Sequence, residues 1–279
     1  MPFLLAGISS LTFGVADFAG GMAAKKTSAV TVVVGSHLAG LALVLALAPG
    51  FGSGTPLLQE LAWGAAAGAA GSVGLAMLYH ALAVTRMSIV APVAALVGMA
   101  APVVFGVAAG ERPAALAWLG VAVAFPAVVL IARTRDRGSP GSNALRAAWL
   151  GIVVGLMFGL FGILISRTGD DSGLWPLLAA RVASIVMMSG FAAATRRRLL
   201  PGRGVRRLVV SAGLLDMTAN ILFLLAVREE LLSLVAVIMS VYPAATVGLA
   251  RVVLGEKVEP LQGVGMALAL AGVTLIALS

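Results

Sequence analysis

The chain has 279 residues, of which 61% are hydrophobic and 11% charged, with a formal net charge of +8. Soluble domains run at about 45–50% apolar and about 25% charged, so the ordinary globular classes are excluded and the chain belongs in a lipid bilayer. With no cysteine and two histidines, neither a disulfide framework nor a Cys/His metal site can be built; the arginines sit in short runs between apolar segments, which argues against nucleic acid as a partner.

Apolar stretches at 3–23, 29–48, 61–84, 88–109, 114–132, 148–167, 174–195, 208–227, 232–253 and 260–278 have the length a helix needs, at about 1.5 Å per residue, to cross a core about 30 Å thick. An all-α membrane protein of ten transmembrane helices is expected. The first stretch lacks a basic start and carries Asp17 among apolar residues, so it reads as a span and not as a secretory leader. In the third, Gly64, Gly68 and Gly71 fall near one face and predict close helix packing. Pro92 and Pro102 lie inside the fourth span, Pro126 inside the fifth and Pro243 inside the ninth, each removing a helix hydrogen bond and allowing a kink. The chain has only a few residues in which to turn between Val84 and Ser88 and between Arg228 and Leu231.

A shift of 145 residues superimposes Phe13-Gly14 on Phe158-Gly159, Ser88 on Ser233, Val90-Ala91 on Val235-Ala236, Gly110-Glu111 on Gly255-Glu256, Gly120 on Gly265 and Ile131 on Ile276. The segments 1–137 and 146–279 therefore read as two homologous units of five spans each. Because five is odd, the second unit enters the bilayer upside down relative to the first, giving two inverted repeats around a central cavity. The same shift sets Gly98 opposite Pro243, two helix breakers at equivalent places and candidate hinges.

Phe13-Gly14 followed by Asp17-Phe18, Gly110-Glu111-Arg112 and Gly255-Glu256-Lys257 after the fourth and ninth spans, and a glycine-containing closing span in each half resemble the ten-helix, EamA-type branch of the drug/metabolite transporter superfamily. The resemblance covers the whole chain. It implies two packed bundles and secondary transport of a small organic metabolite by alternating access, typically as export or efflux. The family often has Trp in place of Phe13 and Asn in place of Asp17, so the acid here bears on cargo charge or coupling.

Alternate connections differ sharply in charge. Lys25, Lys26, Arg86, Arg133, Arg135, Arg137, Arg146, Arg196, Arg197, Arg198, Arg203, Arg206, Arg207, Arg251 and Lys257 share one side, against Arg112, Arg167 and Arg228 on the other. By the positive-inside rule the first side is cytoplasmic. The expectation is a multi-pass inner-membrane protein with both termini outside and the Arg-rich connections 133–147 and 196–207 in the cytoplasm.

Removing the loops leaves Asp17, His37, His80, Arg181, Asp216 and Asn220 inside spans, where a charge costs at least about 2.5–3.5 kcal/mol and needs a partner or water. Counted along the helices, Asp17, His37, His80 and Asp216 lie about 6–13 Å inward from the cytoplasmic ends, and Arg181 falls in the outer half. Asp216 and Asn220, four apart, share a helix face. These residues, with Tyr242 beside Pro243, are the candidate substrate-binding set. Asp17 or Asp216 would pair an organic cation or exchange a proton, and a histidine, with an ordinary pKa of about 6.5, can share that proton. For each there is a structural alternative: the acids and histidines as hydrogen-bond ties between helices, Arg181 as a lock pairing carbonyls or an aspartate. Glu111 and Glu256, at span ends, read as caps of their turns.

Two other classes stay open: an intramembrane enzyme using Asp17 and Asp216 as paired carboxylates, and a passive channel. The chain has no Gly-x-Ser-x-Gly and no Walker glycine loop, and no cofactor is expected. Partners are a small-molecule substrate and the lipid bilayer. Ten spans suffice to enclose a cavity in one chain, so the sequence does not fix the oligomeric state.

Overall fold

Each apolar stretch folds as helix in the computed structural model, which describes residues 1–51, 57–84, 87–132, 142–254 and 260–278. The helices are α1 (Pro2–Ala24), α2 (Ala29–Leu47), α3 (Leu58–Val84), α4 (Met87–Ala108), α5 (Ala115–Ala132), α6 (Ser142–Ile165), α7 (Trp175–Ala194), α8 (Arg203–Glu229), α9 (Leu232–Met239), α10 (Tyr242–Leu254) and α11 (Pro260–Ala277). No strand occurs among the described residues. Arg86, Arg133, Arg135, Arg137, Gly255, Glu256 and Lys257 lie outside them.

By length and composition, the segments Pro2–Ala24, Ala29–Phe51, Leu58–Ala83, Trp175–Ala194 and Arg203–Glu229 are long and apolar enough to cross a membrane. Local chemistry sets several ends. Proline stands in the first two positions of α1 and α7, where its missing N–H costs nothing. The Ser28 hydroxyl accepts the Thr31 N–H at 3.1 Å and caps α2. Gly110, at φ +101°, makes the turn out of α4 that a side chain would oppose.

Two helices depart from the expected bounds in an informative way. α8 begins at Arg203, well before its apolar stretch, because arginine is a good helix former and a long cationic side chain reaches water from a helix end. The ninth span is broken into α9 and α10 across Ser240 and Val241. Pro243 has no N–H for the Met239 carbonyl one turn back, and the Ser10 hydroxyl of α1 donates to that carbonyl at 3.1 Å instead. The break therefore falls beside the expected hinge residue Pro243, whereas α4 runs unbroken past Gly98, and α5 past Pro126.

The helices pair in a pattern that survives exchange of the two halves. α1 packs on α8 and α3 on α6; α4 packs on α6, and α9 with α10 on α1; α3 packs on α7 and α2 on α8. α5 packs on α11, and α2 on α7. Glycines permit the closest crossings. A Cβ on Gly68 of α3 would lie 2.1 Å from the Ala180 carbonyl oxygen of α7, and one on Gly213 of α8 would lie 2.0 Å from the Ser36 carbonyl oxygen of α2. Gly68 and Gly213 are 145 residues apart. Likewise a Cβ on Gly14 would meet the Tyr242 carbonyl oxygen at 2.6 Å, and one on Gly159 would meet the Ala101 Cβ at 2.9 Å. Gly120 of α5 abuts Gly272 of α11, where the added Cβ would sit 2.8 Å from the Gly272 carbonyl oxygen.

Apolar packing closes the bundle at two levels. One cluster includes Met99, Ile165, Leu177, Met217 and Leu224. The other includes Val32, Leu78, Tyr79, Val154 and Val209.

Candidate functional site

Between those two clusters lies a partly open cavity. Residues of α1 to α4 and α6 to α10 line it, and none of α5 or α11 does among the described residues. Its wall is mostly apolar, with Phe13, Phe158, Phe161 and Phe223 contributing rings and Met99, Pro102 and Leu177 filling between them. Into this wall the helices bring Asp17, His37, Arg181, Asp216, Asn220 and Tyr242, together with Gly98. Six of the seven substrate-binding candidates thus face one space, although they come from five helices.

The two aspartates have different surroundings. Asp216 accepts the Arg181 Nη2 hydrogen bond at 2.5 Å, in an ion pair whose two side chains are each 8% exposed. Asn220 donates to the same Oδ2 at 3.3 Å and to the Asp216 carbonyl at 2.7 Å, as the four-residue spacing on one face requires. The Arg181 Nε donates to the Met217 sulfur at 3.1 Å. Asp17 is 5% exposed, and among the described residues nothing hydrogen-bonds or ion-pairs with its carboxylate. The cavity therefore holds one neutralised acid and one that is not.

His37 meets the Ser184 hydroxyl through Nδ1, a tie between α2 and α7 that the sequence reading left open. Ser184 follows Arg181 by three residues, on the same face of α7. His37 and Arg181 each stand one residue beyond a backbone that a glycine lets approach closely, Ser36 at Gly213 and Ala180 at Gly68.

His80 is exposed and does not line the cavity; it is nine residues beyond Gly71, about half a turn round α3 from the lining face, while Leu78, Tyr79, Ala81 and Leu82 take the buried positions. Asp216 falls at the midpoint of α8, which starts at Arg203, and lies within reach of the long Arg181 side chain. Phe13 and Phe158 line the cavity with Phe161 and Phe223. Tyr79, by contrast, is buried against Gly20, outside the lining.

At the rim, Glu111 acts as a cap across the bundle. Its two carboxylate oxygens accept the backbone N–H groups of Leu232 and Ser233, each at 3.1 Å, at the first turn of α9. On the same side, Glu60 accepts the Gly169 N–H at 2.8 Å, and Arg228 donates to the Gly169 carbonyl at 3.0 Å and the Ser172 hydroxyl at 2.7 Å. No group of three or more His, Cys, Asp or Glu side chains placed to hold a metal occurs among the described residues.

Residues 145–278 match the model of the EamA-like transporter family. The resemblance read from the sequence is thus found again, on the second half of the chain, and it points to a multi-pass membrane transporter. A solved crystal structure of a protein 14% identical in sequence superimposes with a TM-score of 0.74, covering 97% of this chain and 98% of its own. At that identity the likeness speaks for the fold alone. No curated protein matches the chain.

Proposed function

We propose, starting from the EamA-like match of residues 145–278, that the chain is a secondary carrier that moves a small organic cation across the inner membrane by alternating access. The observation that carries this reading is the Asp17 carboxylate, buried in a mostly apolar cavity without a hydrogen-bond or ion-pair partner among the described residues. Arg181 cancels Asp216, so with Asp17 ionised the cavity has one uncompensated negative charge. An unpaired charge in a low-dielectric space is costly, and either an organic cation or a proton relieves it. Asp17 is accordingly the group that pairs the cargo and exchanges a proton as the carrier changes face, in the direction of export. Asp216, Asn220, Arg181 and His37 shape the wall beside it.

The proposal takes the chain as two inverted five-helix repeats, 1–137 and 146–279, in ten spans. The exchange-symmetric helix packing and the matched glycine crossings support that arrangement, and the 145-residue sequence shift extends the family reading to the first half. Loop charge supports termini outside and the 133–147 and 196–207 connections in the cytoplasm. The break in the ninth span and the glycine at the matching place in α4 supply the hinges, Pro243 and Gly98. Arg181 and Asn220 hold the Asp216 carboxylate, so among the described residues Asp17 has no second free carboxylate in the cavity to act with as an acid/base pair.

Purified protein in liposomes tests the class. Saturable exchange of an amine against protons supports the carrier. Chemical conversion of the solute, or flux far above carrier rates, sinks it in favour of an enzyme or a channel.

A further inference from the structure

Four glycines line the cavity, and an added Cβ would fare differently at each. On Gly68 it would strike the α7 backbone at 2.1 Å, and on Gly71 it would press the Phe161 ring at 3.0 Å. Helix packing explains those two. On Gly98 the nearest atom would be the Gly155 carbonyl oxygen at 3.5 Å, and on Gly162 it would be Phe223 Cζ at 3.5 Å, with Pro102 Cγ at 3.9 Å. These are ordinary contacts, and alanine fits at both. Since glycine weakens a helix interior relative to alanine, packing gives no reason for it at Gly98 or Gly162. The space their missing side chains leave belongs to the cavity.

The two positions are neighbours. Gly98 faces Gly155 and Phe158, and one turn further along the same seam of α4 and α6 Gly162 faces Pro102 and Phe223. The Phe223 and Phe161 rings stand 6.2 Å apart at 33°, making one side of this cleft aromatic. Gly162 is also the residue 145 positions from Asp17. At positions matched by the 145-residue shift the cavity lining thus has a carboxylate in one case and bare backbone in the other.

We propose that the seam at Gly98 and Gly162, bordered by Pro102, Phe158 and Phe223, is the subsite for an apolar, ring-bearing body of the cargo, the charged head of which sits at Asp17. This rests on the reading of Asp17 as the cation site. The cargo class it selects is an aryl- or aralkyl-ammonium ion, flat and apolar at one end and cationic at the other, in preference to a compact cation of the same charge. Aromatic side chains beside a glycine-floored slot suit a flat ring, which buries apolar area there without displacing a side chain.

Two probes with one head group separate the body from the charge: tetramethylammonium and benzyltrimethylammonium, bound to the full chain in lipid nanodiscs and followed by equilibrium dialysis. The wild type is expected to prefer the benzyl compound by about tenfold. Gly162→Leu fills the slot and abolishes that preference while still binding tetramethylammonium. Gly162→Ala, for which there is room, reduces the preference and decides the matter if the leucine variant does not fold. A preference kept in both variants, or absent from the wild type while both probes bind, overturns the subsite and leaves the Asp17 site standing. Binding of neither probe by the wild type overturns the cation reading itself, and the subsite with it.

Discussion

Arg181 of α7 holds Asp216 of α8 through a 2.5 Å hydrogen-bonded ion pair, with both side chains almost wholly buried. A pair of this kind is costly to break from one side only, because the partner is left charged and unsolvated. Arg181→Ala should therefore destabilise the protein by about 3–5 kcal/mol. Removing both charges together, as Arg181→Met with Asp216→Leu, should recover most of that loss. Unfolding of the purified variants in detergent, followed by circular dichroism, checks both values.

Glycine substitutions should sort by what the added Cβ would meet. Gly68→Ala and Gly213→Ala force backbone apart at the α3–α7 and α2–α8 crossings, where the methyl would come within 2.1 and 2.0 Å of carbonyl oxygens. Each should cost about 1–3 kcal/mol. Gly190→Ala meets nothing within 4 Å, and should be neutral or stabilising by up to about 1 kcal/mol. The same unfolding assay reads all three.

The Glu111 carboxylate spans from the turn after α4 to the first N–H groups of α9. Glu111→Ala should lose about 1 kcal/mol, the usual worth of a helix cap. Glu111→Gln, which keeps an acceptor but not the charge, should lose less. Hydrogen exchange at Leu232 and Ser233 should rise in the alanine variant before exchange elsewhere in α9 does.

The chain has no cysteine, so single cysteines report orientation without a background. Leu200→Cys, on an exposed residue between α7 and α8, should react with a membrane-impermeant maleimide only after cells are opened. Gly50→Cys, at the exposed end of the turn after α2, should react in intact cells. The reverse pattern would invert the proposed topology.

The helices were legible because a bilayer imposes a length and a hydropathy that few other settings require. Where the sequence reading fell short, that contrast was missing. Arg203 to Arg207 continue α8 as helix although nothing there is apolar enough to register. Ser10 gives no hint in sequence that it will serve the carbonyl freed by Pro243. In the cavity, Asp17, His37, Arg181, Asp216 and Asn220 stood out since a polar group in lipid is expensive. Phe161, Gly162 and Phe223 were invisible, because an apolar residue in an apolar chain carries no signal. His80 shows the converse: polarity alone does not say which face of a helix a residue takes, and this one faces away.

The most direct test of the account is ligand-dependent thermal stabilisation in proteoliposomes. Amino acids, polyamines, quaternary amines and nucleosides are screened on the wild type, and each hit is repeated on Asp17→Asn and Asp216→Asn, since a bound ligand raises the melting temperature by mass action. The account predicts that cationic amines stabilise the wild type, that Asp17→Asn abolishes the shift, and that Asp216→Asn melts lower yet keeps it. A shift that survives Asp17→Asn, or stabilisation by neutral or anionic solutes alone, would contradict it.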